Sequence, residues 1–375
     1  MNTGSSKLEK AAGLIKNKGL DGLIIYSSGA FHFLKPNQLH YFSEWRPMGP
    51  HNAAVVSKSG DVVLLVSPAW DLGRTSKKTW IKDVRGTTNF SGELAGVLKE
   101  LNLAGAVGVA GTGEMPIEIY QGIVDVANPV PADDIPEEIA RAKTAEDEAI
   151  ARRTGRIADV GFNAFLEHAR PGIREYELVG EMEFAMRSAG AQDNFTLVSS
   201  GRHNYAMHAP SDKRLAAGDI VIGEISPVCE GQVIQICRTV VLGEADALLK
   251  DKYKMLVHAL EASEKQIKPK TPASAMSLAM NKVISDAGYA KYCYPPYMRA
   301  RGHGFSLGSI TPGATIDDKT KANFEKGQVI VVHPNQYLPE TGYLACGESV
   351  LVTENGYERL LETETKLYEK KLMFS

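Results

Sequence analysis

The chain has 375 residues, 43% of them hydrophobic and 23% charged, with a formal net charge of -3; that length exceeds what one hydrophobic core organises, so two domains are expected. The near-balanced charge argues against nucleic acid or an anionic membrane as a partner. No apolar run reaches the length of a membrane span, and the polar start Met1-Asn2-Thr3-Gly4-Ser5-Ser6-Lys7 lacks an apolar signal core, so a cytoplasmic chain is expected.

Residues 7–18 place Leu8, Ala11, Ala12, Leu14 and Ile15 at helical spacing, and Gly19 stops that helix. Residues 21–26 read as a buried strand. An aromatic stretch follows, with Phe31, His32, Phe33, His40, Tyr41, Phe42, Trp45 and Arg46. Residues 53–56 and 62–66 flank Ser59-Gly60-Asp61, a hairpin signal. Residues 92–101 read as helix, 106–110 as strand and 116–126 as helix. Strands alternating with helices make an α/β domain. Pro129, Pro131 and Pro136 with Asp133 and Asp134 predict a linker, and the domain boundary is placed between residues 133 and 134.

One long helix is expected over about 136–170, ended by Pro171-Gly172, and another over 175–188. An internal echo comes next. Residues 215–224 (LAAGDIVIGE) match 324–333 (FEKGQVIVVH): each is a short turn ending in glycine, then an apolar strand reaching a polar residue six positions after that glycine. Duplicated units pack about a pseudo-twofold axis. Glu224 and His333 then point at one shared centre, and an apolar run broken by one polar group is how a buried site looks in sequence. Ile222, Glu224 and Ser226 share a strand face; Glu230-Gly231 reads as a hairpin turn; Val233, Gln235, Cys237 and Thr239 share a face of the return strand, with Arg238 opposite. Two further polar features are the loop holding Arg202, His203 and His208, and Arg301-Gly302-His303-Gly304, whose glycines let backbone approach the imidazole. The cysteines, Cys229, Cys237, Cys293 and Cys346, form no Cys-x-x-Cys pair and are expected to be reduced.

Six pieces in order carry a resemblance: the loop ending in His208, Ala217-Gly218-Asp219, Gln235-Ile236-Cys237-Arg238-Thr239, Gly302-His303-Gly304, Lys326-Gly327-Gln328-Val329-Ile330 and 350–356 (VLVTENG). Residues 136–361 resemble the creatinase, methionyl aminopeptidase and prolidase superfamily, and the N-terminal part resembles the smaller domain of creatinase, aminopeptidase P and prolidase. The resemblance implies an α/β N-terminal domain (1–133) plus an α+β pita-bread C-terminal domain (134–375) with a pseudo-twofold internal repeat. It also implies a two-metal ligand set of Asp, Asp, His, Glu and Glu. By position these fall on Glu224, Gln235, His303, His333 and Gly347, with Glu348 one residue on. Gln and Gly cannot supply the bridging negative charge that two divalent ions need, so a metal pair is not expected. Glu224, His303 and His333 would be the ligands if one ion were bound.

The expected function is therefore that of a creatinase-like, metal-independent enzyme with no cofactor. It would hydrolyse an amide, amidine or guanidino C–N bond in a small, carboxylate-bearing molecule. By the resemblance His208 is the acid/base. Glu224 would hold a cationic or N–H-bearing group, and His303 and His333 would donate to a developing oxyanion. Arg301 or Arg202 would bind a carboxylate, with Gln235, Cys237 and Glu348 near the substrate. Cys237 is also weighed as a nucleophile. A homodimer is expected, its N-terminal domain closing the partner's site through Trp45, Arg46 and His51. The same acid/base pair would also serve a lyase. Two alternatives are an Xaa-Pro-type metallopeptidase or single-metal hydrolase, and a non-catalytic recognition module.

Overall fold

The computed structural model describes residues 3–30, 35–141, 143–298, 300–309 and 315–371; Phe31, His32 and Phe33 lie outside the described residues. The chain divides into two compact units, residues 1–142 and 143–375. Among the described residues no helix is long and apolar enough to cross a membrane.

The first unit runs α1 (Thr3–Asn17), β1 (Gly22–Ser27), α2 (Gln38–Ser43), β2 (His51–Ser57), β3 (Val62–Ser67), α3 (Leu72–Lys78), β4 (Asp83–Gly86), α4 (Phe90–Glu100), β5 (Ala106–Ala110), α5 (Ile117–Val124), β6 (Asn128–Pro131) and α6 (Asp134–Arg141). Its strands form one mixed sheet in the order β4-β3-β2-β1-β5-β6. Period-two alternation sorts the core into two layers. Leu23 and Ile25 of β1 pack with Ala11 and Ile15 of α1 and Ile135 and Ile139 of α6. Ile24 and Tyr26 pack on the other face with Leu94 and Val97 of α4 and Ile119 and Ile123 of α5. The β2–β3 hairpin pairs Val56 with Val62.

Two expectations change here. The proline-rich stretch is not a free linker: residues 128–131 are an edge strand parallel to β5, where prolines are tolerated because the missing N–H faces no partner. The division also falls later than 133/134, because α6 buries Ile135 and Ile139 in the first unit's core. The single helix expected over 136–170 is therefore two, α6 and α7 (Ala145–His168). Thr144 starts the second with a capping box: its side chain accepts from the Asp147 N–H while Asp147 accepts from the Thr144 N–H.

The second unit continues with α8 (Glu175–Ser188), β7 (Asp193–Gly201), β8 (Ile220–Cys229), β9 (Gln232–Val233), β10 (Ile236–Leu242), α9 (Ala247–Glu264), α10 (Ser274–Ile284), β11 (Gly302–Gly304), β12 (Val329–Val332), β13 (Gln336–Leu338), β14 (Gly342–Leu344), β15 (Glu348–Val352), β16 (Tyr357–Arg359) and β17 (Tyr368–Lys370). One sheet orders β17-β10-β8-β7 with β9 on β8, and another orders β11-β12-β15-β16. This is an α+β pita-bread unit, and the internal repeat is visible in its hydrogen bonds. The Gly218 N–H donates to Leu242 O at 2.7 Å and the Leu242 N–H returns to Asp219 O at 3.0 Å. In the second half the Gly327 N–H donates to Val352 O at 2.8 Å and the Val352 N–H returns to Gln328 O at 2.9 Å. Gly218 and Gly327 both hold positive φ, 82° and 85°, a conformation that favours glycine.

The repeat dictates what meets at the centre. Counting back five residues from Leu242 and from Val352 gives Cys237 and Gly347. These two mates pair with each other across the sheets: Cys237 N–H donates to Gly347 O at 3.2 Å, and Gly347 N–H to Cys237 O at 3.0 Å. The next mates, Arg238 and Glu348, form an ion pair with side chains 0% and 1% exposed. A two-residue turn at Glu230 and Gly231, with φ of 49° and 79°, joins Cys229 to Gln232 as a hairpin requires.

Candidate active site

Glu224 and His333 lie at matching positions of the two repeats, and the structure brings them to one thiol. Glu224 faces Cys237 directly in the β8–β10 register. Its Oε2 is 3.9 Å from Cys237 Sγ, and the same sulfur is 3.8 Å from His333 Nδ1. His303, on β11, reaches His333 with the two Nε2 atoms 3.2 Å apart. Gln235 completes the group: its Nε2 donates to Glu224 Oε1 at 2.9 Å and to Ser226 Oγ at 3.0 Å. Each strand places these side chains through alternation.

The electrostatics follow from burial. Glu224 has its carboxyl pushed up to about 7, because desolvation outweighs the hydrogen bonds from Cys237 and Gln235 that favour the anion. His303 is held down to about 4 by burial, only partly offset by its Gly304 backbone contact. His333 is held well below the usual imidazole range by burial, then by the charges of His303 and Arg301. Both rings are thus neutral near pH 7. Burial, and then the charge of Glu224, push the Cys237 thiol well up. The shift favours the thiol over the thiolate, and the side chain stands between Glu224 and His333.

Several expected site residues sit elsewhere. Glu348 does not turn into the centre: it is buried against Arg238 and accepts from Thr365 Oγ1 at 2.8 Å. Strand alternation sends it the opposite way from Gly347, as it sends Arg238 opposite to Cys237. Arg301 does not offer a free fork to a carboxylate. Its Nε donates to Asn281 Oδ1 at 2.7 Å and its Nη2 to Gln336 Oε1 at 2.9 Å. The cavity it lines, of about 240 Å³, also presents Asp317 and Asp318, which repel a carboxylate. Arg202 is exposed beside Gly218. His208 is exposed, and its Nδ1–H donates to the adjacent Ala209 O at 2.7 Å.

In the first unit, Trp45 is not available to reach a partner. It is 1% exposed in the core, with the Arg74 guanidinium over its ring at 5.3 Å. The Arg46 carbonyl accepts from Arg74 Nη2 at 3.1 Å. His51 Nδ1 is 2.8 Å from the Tyr26 hydroxyl.

Two residues at the centre escaped the sequence reading. Asn335 places its Nδ2 3.2 Å from His333 Nδ1. Alternation from His333 reaches it in one step, so the signal was present. Tyr343, on β14, has its hydroxyl pushed up by burial and by the charge of Glu224; the short β13–β14 hairpin that carries it gave no sequence signal.

The geometry at the ligand positions implied for a metal pair does not suit one. A Cβ added at Gly347 would stand 3.0 Å from Cys237 Cβ and 3.1 Å from both Cys237 Sγ and His333 Nδ1. The volume a carboxylate would need there is filled by those two side chains. At the second position, the Gln235 amide donates to Glu224 instead of supplying charge. Among the described residues no group of three or more His, Cys, Asp and Glu side chains stands together so as to hold a metal ion. The centre carries at most one negative charge and does not fit two divalent cations.

Residues 149–354 match metallopeptidase family M24. Over 365 residues the chain is 26% identical to an Xaa-Pro dipeptidase of Pyrococcus furiosus, covering 96% of this chain and 99% of the relative. Its fold is similar to that of an Xaa-Pro dipeptidase from Bacillus anthracis, with a TM-score of 0.84 at 22% identity over 98% of this chain and 99% of that one. It is likewise similar to prolidase from Pyrococcus furiosus, with a TM-score of 0.80 at 24% identity over 94% and 99%. These relatives overturn the expected reaction. They are named for dipeptides, so hydrolysis of a non-peptide amidine or guanidino bond, and the creatinase-like metal-independent character attached to it, are withdrawn.

Proposed function

We propose, from the premise that this chain belongs to metallopeptidase family M24, that it is a hydrolase of short peptides of the Xaa-Pro class for which its relatives are named. The observation that carries the reading is Glu224: a carboxyl that titrates at about 7, separated from the neutral His333 ring by the Cys237 thiol. A group with that pKa gives and takes protons near neutral pH with little thermodynamic penalty in either direction.

In this reading Glu224 takes the proton of the attacking water at Oε2, the oxygen that Gln235 does not hold. It returns that proton to the leaving imino nitrogen, so the peptide C–N bond breaks as a C–O bond forms. Gln235 holds Glu224 in place through its 2.9 Å donation. The imidazole pair supplies one N–H, from His303, to the carbonyl oxygen as charge develops on it. No step is routed through a metal ion, since the residues present do not fit a metal pair. His208, exposed with its Nε2 lone pair free of the Ala209 contact, is proposed as a substrate-end contact and not as the base. We also propose a cytosolic homodimer, in keeping with four free, buried cysteines.

A second reading, capture of such a peptide without cleavage, is favoured by Gln235 and Gly347, which stand where charge is expected. One experiment separates them. The purified chain, as isolated and after addition of Mn²⁺, Co²⁺ or Zn²⁺, is incubated with a panel of Xaa-Pro dipeptides and matched non-proline dipeptides. Free proline and calorimetric binding are both measured. Release of proline that is lost in Glu224→Gln supports the hydrolase. Binding without release supports capture. Neither binding nor release with any peptide overturns the proposal.

A further inference from the structure

We propose that Asn335 sets the tautomers of the His303/His333 pair, making it a one-way hydrogen-bond relay that ends in a donor N–H and closes His333 as a cation ligand. One group in the chain of contacts has a fixed role. The Cys346 backbone N–H can only donate, and it stands 2.7 Å from Asn335 Oδ1. That settles which end of the amide is oxygen. The Asn335 NH₂ is then the group 3.2 Å from His333 Nδ1.

An NH₂ group donates and never accepts. His333 Nδ1 must therefore carry the lone pair, and a neutral ring then holds its proton on Nε2. That N–H faces His303 Nε2 at 3.2 Å, which must accept. The His303 proton accordingly sits on Nδ1, whose nearest acceptor is Gly304 O at 3.4 Å. This last contact is long. The relay thus runs from Cys346 through Asn335 and His333 to His303, and leaves its final N–H weakly engaged.

The polarity matters for what the centre can bind. A histidine that ligates a metal nearly always gives its other N–H to an acceptor, which raises the basicity of the ligating nitrogen. His333 has the reverse arrangement: its other nitrogen faces a donor, and its inward nitrogen holds the proton. Ligation through Nε2 would push that proton to Nδ1, against the Asn335 NH₂. Asn335 is therefore a positioning residue, acting through His333. The further claim, that the His303 Nδ1–H is offered to a substrate carbonyl, rests on the peptide reading above.

The test reads tautomers directly. Long-range ¹H–¹⁵N correlation spectra of the full chain with ¹⁵N-labelled histidine are assigned with His303→Gln and His333→Gln. The expected result is His333 in the Nε2–H form and His303 in the Nδ1–H form. Asn335→Asp replaces the donor by an acceptor while keeping an oxygen for Cys346. It should switch His333 to Nδ1–H and tighten Zn²⁺ binding, measured by calorimetry, by at least about tenfold, the scale of second-layer effects on metal affinity. His333 found as Nδ1–H in the unaltered chain overturns the proposal even if the variant does not fold. So does a folded Asn335→Asp whose tautomers do not change. If the tautomers are as stated and no Xaa-Pro peptide is cleaved, the relay stands and the peptide reading falls.

Discussion

Replacing Glu224 by glutamine should stabilise the second unit, and by an amount that grows with pH. The carboxyl titrates near its usual 4.5 when unfolded and at about 7 when folded. Between those values the folded chain binds more protons than the unfolded one, so the wild type loses stability as pH rises, at about 1.4 kcal/mol per pH unit. The full loss is about 3 kcal/mol, present above pH 7 and absent below pH 4.5. Glu224→Gln keeps the shape and an acceptor for the Gln235 amide but has no proton to lose. Its advantage over the wild type should rise by about 3 kcal/mol between pH 4.5 and pH 8. Taking the difference between the two proteins cancels the histidine titrations they share. Urea unfolding followed by far-UV circular dichroism measures it. All three tryptophans, Trp45, Trp70 and Trp80, lie in the first unit, so their emission marks that unit's transition and separates it from the one of interest. Parallel pH profiles for the two proteins would refute the buried, proton-sharing carboxyl.

Three other perturbations have definite signs. Arg238→Met strands the buried Glu348 carboxylate and should cost about 3–5 kcal/mol, while Arg238→Met with Glu348→Leu recovers most of that in the same urea assay. Gly347→Ala puts a Cβ within 3.1 Å of Cys237 and His333; about 1–3 kcal/mol is lost, and adding Cys237→Ala, which removes the sulfur, returns part of it. On the acid side, His303 is depressed from 6.5 to about 4. Its contribution is complete above pH 6.5 and is lost as pH falls towards 4, about 3 kcal/mol in all; His303→Gln should flatten that limb of the stability curve.

Much of the architecture was legible because it is written in period. The 53–56 and 62–66 hairpin, the helix over 175–188 and the echo between 215–224 and 324–333 all rest on apolar spacing or on glycines at positive φ. These signals are local, so tertiary packing leaves them intact. Glu224, His303 and His333 were legible as a converging set because duplicated strands carry equivalent residues to one centre. What was not legible depends on direction and volume. Glu348 looked available because sequence proximity to Gly347 says nothing of the opposite face, where Arg238 awaits it. Trp45 reads as a surface anchor until a core is assembled around it. The proline-rich 128–131 segment reads as a linker because edge strands and linkers tolerate the same residues.

The repeat also explains why the fold persists while its centre changes. Backbone bonds between Cys237 and Gly347, and charge between Arg238 and Glu348, fasten the two halves without using the side chains of the centre. The side chains facing inward are then free to vary, provided the buried charge stays small. Four carboxylates there would need cations to offset them. One carboxyl at about 7, one amide and two neutral imidazoles need none. The glycine at 347 is a consequence of the same exchange, since Cys237 and His333 occupy the volume a longer side chain would use. Restoring acidity at a single position, as in Gln235→Asp, should therefore not recreate a pair of metal sites. It should instead place a second carboxyl beside Glu224 and raise the shared proton affinity further. A pH titration of that variant which showed Glu224 falling below 7, with Zn²⁺ bound, would contradict the reasoning.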